Sequence, residues 1–153
     1  LDEKILDIEG DICVDKVLGS AILFKKKDII ELGFLDETFF LYYVDDDLCR
    51  QIKKKGMSVI QIYNAKAQHL HGQSKVKNLL KRIFIRNYHF THDQLYYYFK
   101  ANKHQAKIKY LRKKLKSYII KLILSFILLR FSKSIYYIAM IKALYDFNKF
   151  TKK

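Results

Sequence analysis

A chain of 153 residues, half of them hydrophobic, is long enough for one modest domain with its own core and too apolar to be a disordered tail. Two cysteines, Cys13 and Cys49, exclude a disulfide framework, and a reducing compartment is the default expectation. The net charge of +15 points to an anionic partner, but its distribution is uneven: residues 1–72 hold 10 Lys/Arg against 13 Asp/Glu, and residues 73–153 hold 20 against 2. All five glycines lie in the first part, and Pro is absent throughout. The two parts therefore read as separate regions: 1–74 as a mixed α/β piece with sharp turns, 75–153 as a basic, amphipathic helical tail.

The opening "LDEKILDIEGDICVD" carries neither a basic nor an apolar leader and reads as the middle of something larger. "VDKVLGSAILFKK" follows, a nearly continuous apolar run that predicts a buried strand interrupted at Gly19. "KKDIIELG" predicts a short helix, with Asp28 and Glu31 at capping-box spacing and Gly33 as its stop. "FLDETFFLYY" reads as an aromatic-rich loop or irregular strand. "DDDLCRQIKKKG" predicts a second helix, with acids in its first turn, lysines in its last and Gly56 after it, the order that complements the helix dipole. "MSVIQIY" predicts a strand, and "NAKAQHLHGQS" a loop carrying His69 and His71.

Beyond Val76 the spacing is helical. Leu79, Leu80, Ile83, Phe84 and Tyr88 mark one helix. Ile108, Leu111, Leu115, Ile119, Leu122 and Phe126 mark the apolar stripe of another, with Lys109, Arg112, Lys113 and Lys116 opposite. The most apolar stretch, Ile119 to Phe131, is short of the ~20 residues a spanning helix needs and includes Lys121 and Arg130. It reads as packed or interfacial rather than transmembrane.

The order of these pieces resembles the C-terminal, acceptor-side part of the catalytic domain in glycosyltransferase family 2, closest to the rhamnosyltransferase-like branch. The resemblance is carried by Gly19-Ser20, Gly33-Phe34-Leu35-Asp36-Glu37, Phe39-Phe40, Asp45-Asp46-Asp47-Leu48 with Arg50, Gly56 and His69…Ser74. "IRNYHF" and "KALYDFNKF" resemble the family's helical tail. Val44 stands where the family carries Glu. The resemblance implies a partial GT-A fold, α/β, without its nucleotide-binding half, followed by the helical tail. It implies an inverting transfer of a sugar, plausibly rhamnose, from a nucleotide-sugar donor to a cell-surface or lipid-linked glycan.

On that resemblance Asp45 is the general base. Asp36 and Glu37 are the acidic loop near the acceptor, and Gly19, Asp47 and Arg50 line the substrate region. His69 is the loop histidine that approaches the diphosphate or its metal. The complete enzyme implies a divalent metal, Mg or Mn, whose D-x-D site is not in this chain. The chain alone is expected to be inactive, and the enzyme peripheral at the cytoplasmic face of the plasma membrane.

Plainer readings stand beside these. Three acids before a basic helix also serve as its first-turn charges. Asp36 and Glu37 also suit loop caps, His69 and His71 a solvated pair, and Tyr96 to Tyr98 a packing surface. The alternative function is a non-enzymatic basic module that binds an anionic membrane surface or, less well, nucleic acid, which offers nothing to bury the apolar stripe.

Overall fold

The computed structural model describes residues 9–68, 76–101 and 104–151. Among them the chain is mostly helical, with five helices and one two-stranded pairing. The order is β1 (Ile12–Cys13), α1 (Lys26–Glu31), α2 (Val44–Lys54), β2 (Ile60–Gln61), α3 (Leu79–Ala101), α4 (His104–Ile127) and α5 (Phe131–Phe150). These elements fall into two compact units. One comprises the described parts of Leu1–Leu35 and Val44–Gly72; the other comprises Asp36–Tyr43 and the described parts of Gln73–Lys153.

The expected partial GT-A fold is not what forms. An α/β architecture rests on a multi-stranded, largely parallel sheet, whereas β1 and β2 are two residues each and antiparallel, with Ile12 opposite Gln61 and Cys13 opposite Ile60. The apolar run 17–24 makes no strand. A strand must place its N–H and C=O groups on a neighbouring ladder, and among the described residues none lies beside this run. Leu18 and Leu23 are exposed as a result. An open cleft of about 790 Å³ follows, lined by Ile22, Phe24, Leu48, Ile52 and Ile60 among others. The strand expected over "MSVIQIY" shrinks to β2 for the same reason.

The short helices form where the sequence places them, and both close on glycine. Gly33 and Gly56 sit at φ 82° and 72°. The N–H groups of Phe34 and Met57 reach back to the carbonyls of Ile29 and Ile52, the closure that needs a left-handed residue just past the helix. The capping box at Asp28 and Glu31 does not form: Lys25 is the N-cap and no side chain caps the helix.

In the second unit, α3 and α4 both pack on α5. The core joins Leu95 of α3, Leu111 and Tyr118 of α4, and Met140, Leu144 and Phe147 of α5. Ala139 and Ala143 are fully buried and let the neighbouring backbones approach. The sequence shows no Gly or Pro stop between Ile108 and Phe131. Even so, α4 ends at Ile127 and turns back through Leu128–Arg130. The Arg130 N–H bonds to the Ser125 carbonyl at 2.8 Å while Leu129 takes φ 51°. No glycine marks this turn, and a leucine held there costs about 1–2 kcal/mol. Ser125 and Ser134, both buried, share a 2.9 Å hydrogen bond across the hairpin.

The packed face of α4 runs through Leu111, Tyr118 and Ser125. Of the apolar stripe read from the sequence, Leu111 enters the core and Leu122 is half-buried, while Leu115, Ile119 and Phe126 remain exposed. Among the described residues no helix is long and apolar enough to cross a membrane.

Candidate functional site

The three aspartates occupy the first turn of α2, with Lys53 and Lys54 in its last. Successive helical residues point about 100° apart, so the carboxylates diverge to three different partners. Asp45 is half-buried; its Oδ2 accepts the Gly19 N–H at 2.7 Å and its Oδ1 accepts the Asp46 N–H at 3.1 Å. Asp46 pairs with the Lys16 ammonium at 3.1 Å. Asp47 is buried, accepts the Gln51 amide at 2.7 Å and pairs with the Arg50 guanidinium.

Gly19 lies in a turn rather than in a strand. Its missing side chain permits the approach. A Cβ there would meet Asp45 Cβ at 3.2 Å and Oδ2 at 3.3 Å, tighter than ordinary van der Waals contact. Gly19→Ala is therefore expected to push the two apart by a few tenths of an ångström and weaken the Gly19–Asp45 hydrogen bond. Hydrogen exchange at the residue 19 amide should quicken by about tenfold, the equivalent of one such bond; unchanged protection would show that the contact is not what shields it.

The remaining expected site residues are placed elsewhere. Asp36 belongs to the helical unit, where its carboxylate takes the Lys100 ammonium and the Tyr96 hydroxyl at 2.7 and 2.9 Å, and the Thr38 N–H at 2.9 Å. Glu37 is exposed. His69, with His71 and Ser74, lies outside the described residues. The structure thus brings Gly19 and Asp45 together and joins Asp47 to Arg50. Both Asp47 and Arg50 are engaged with each other on the helix, as the salt bridge requires.

Burial disfavours the ionised form of Asp36, but the hydrogen bonds from Lys100, Thr38 and Tyr96 outweigh it and hold the carboxyl at about 2. A folded-state value below the unfolded one stabilises the fold above about pH 4, and that contribution fades as pH falls to about 2. The urea midpoint of the helical unit should drop through this window. Asp36→Asn should flatten the drop; an identical pH profile in the variant would remove Asp36 as its source.

Sequence reading missed Asp93. It is fully buried on α3, and its Oδ2 accepts the N–H groups of Leu41 and Tyr42 at 3.0 and 2.9 Å. The signal was present: residues 73–153 contain just two acids, Asp93 and Asp146, and Asp93 sits between the core-forming positions of its helix. Around it, Phe39 packs edge-on to Tyr96, Phe40 stacks on His89, and the Gln94 amide donates to the Tyr43 hydroxyl at 2.9 Å.

Among the described residues no three His, Cys, Asp or Glu side chains gather as a metal-ligand set. The aspartate triplet does not fit one, because each carboxylate turns to its own partner. Compared with protein-family models, curated proteins and solved structures, the chain matches none.

Proposed function

We propose that this chain carries the acceptor-activating part of a sugar-transferring enzyme, with Asp45 as general base. The proposal concerns the chemistry of α2 and its neighbouring turn and makes no claim on the overall fold. The observation that carries it is the fixed Asp45 carboxylate. It lies in the first turn of a helix, and the Gly19 and Asp46 N–H groups fix its direction. Each carboxylate oxygen retains a further lone pair with which to accept a proton. The motifs from Gly19-Ser20 through Asp36-Glu37 to Arg50 in the sequence carry the family resemblance on which this reading also rests.

In the proposed reaction Asp45 takes the proton of an acceptor hydroxyl. The acceptor oxygen forms a bond to the anomeric carbon of a nucleotide-linked sugar as the bond to the diphosphate breaks, with inversion. The donor is a nucleoside diphosphate deoxyhexose. No step is assigned to a metal. The test is a titration of the chain with rhamnose-containing oligosaccharides, followed by amide NMR. Shifts confined to residues 19 and 45–50 support an acceptor site at Asp45; a spectrum unmoved at millimolar sugar rejects it.

A further inference from the structure

We infer that the α4–α5 turn is the insertion point by which this chain binds an anionic membrane surface. Three observations converge there. Ile123, Ile127, Leu128, Leu129 and Phe131 are all at least half exposed, Leu129 the most at 73%. Single exposed apolar side chains are ordinary, but a contiguous set at one end of a helical hairpin is not. The groove between α4 and α5, lined by Leu115, Leu122, Ile138 and Ile141, continues this surface along the hairpin.

The second observation is charge. No Asp or Glu occurs between Asp93 and Asp146, while Lys121, Arg130 and Lys133 flank the tip and are exposed. Lysine and arginine stems can lie along the apolar surface with their cations at headgroup level. Such cations gain from anionic lipid. Nucleic acid would satisfy the cations and leave the leucines in water.

The third is Leu129. It adopts φ 51°, a conformation suited to glycine, and its side chain covers almost nothing of the fold. The protein keeps an apolar side chain where its own stability favours none, so the side chain serves something outside the fold.

The tip is thus expected to enter the headgroup boundary, with the far end of α5 in water. The chain has no Trp, so a single introduced Trp reports its own surroundings. Phe131→Trp should shift its emission to the blue on vesicles of phosphatidylcholine with phosphatidylglycerol, and not on phosphatidylcholine alone. Phe150→Trp, ~28 Å further along α5 and outside that groove, should not shift. Leu129→Gly should weaken vesicle binding by about tenfold, as expected for one leucine, while its urea midpoint stays at or above wild type. That variant separates lost contact from lost folding.

Equal blue shifts at both reporters, equal binding to neutral vesicles, or no binding at all would overturn the inference. So would Leu129→Gly binding like wild type, or duplex DNA displacing the vesicles with an affinity that Leu129→Gly leaves unchanged.

Discussion

Asp45→Asn is expected to slow sugar transfer by the polypeptide that carries it by about 10²–10⁴-fold, the usual contribution of a general base. The substitution is chosen for what it preserves. Asparagine has the same shape, and its carbonyl oxygen can still accept the Gly19 N–H that Asp45 Oδ2 accepts at 2.7 Å, while the longer 3.1 Å bond from the Asp46 N–H is given up. A helix start tolerates Asn as well as Asp, and the lost charge at the first turn costs only about 0.3–1 kcal/mol. A merely structural Asp45 therefore predicts near-normal turnover in this variant. A catalytic Asp45 predicts a collapse of the transfer rate with donor binding and the urea midpoint little changed. Single-turnover transfer and donor titration, measured on both proteins, distinguish the two; turnover within threefold of wild type would exclude Asp45 as the base.

The second large effect belongs to Asp93. Asp93→Ala is expected to destabilise the helical unit by about 2–4 kcal/mol, because two backbone N–H groups lose their shared acceptor at about 1–3 kcal/mol each when left unsatisfied. Relief of carboxylate burial and entry of water offset part of this. For a domain whose whole stability is about 5–15 kcal/mol, the loss is large. Burial disfavours ionisation of Asp93, yet His92 and the N–H groups of Tyr42 and Leu41 hold the carboxyl below its ordinary range. The ionised group is thus the one the fold uses, and stability should fall further as acid protonates it. Asp93→Asn retains one oxygen for the two donors and should cost less than Ala. Urea unfolding followed by helical circular dichroism reads both; an alanine variant within 0.5 kcal/mol of wild type would mean that residues 41 and 42 find other partners.

Asp93 also bears on the proposed chemistry through chain order alone. The segment it holds, residues 36–43, runs directly into Val44 and the first turn of α2. The sequence marked that segment as loop or irregular strand and left its acids equally suited to loop caps and to the acceptor contact that the resemblance implies. In the structure Asp36 spends its carboxylate on Lys100, Tyr96 and Thr38, which makes it a clamp of the segment onto α3.

What the sequence determined by itself was local. The first-turn acids of α2, the glycines that stop α1 and α2, and the mainly helical character of the described residues beyond Val76 all follow from charge order, positive φ and the absence of Gly and Pro. These signals lie within one or two helical turns, where the chain's own atoms decide the outcome. The tertiary structure decided the rest. It left 17–24 without a strand because a strand depends on a neighbour that residue types alone do not supply. It turned the chain at Leu129, a residue that carries no turn signal, because Tyr118 of α4 packs in the core with α5 and Ser125 of α4 bonds to Ser134 of α5, which stabilises the hairpin. It packed part of the apolar stripe of α4, Leu111 and Leu122, and left Leu115, Ile119 and Phe126 outside, since periodicity shows that a helix has an apolar face but not how much of that face finds a partner.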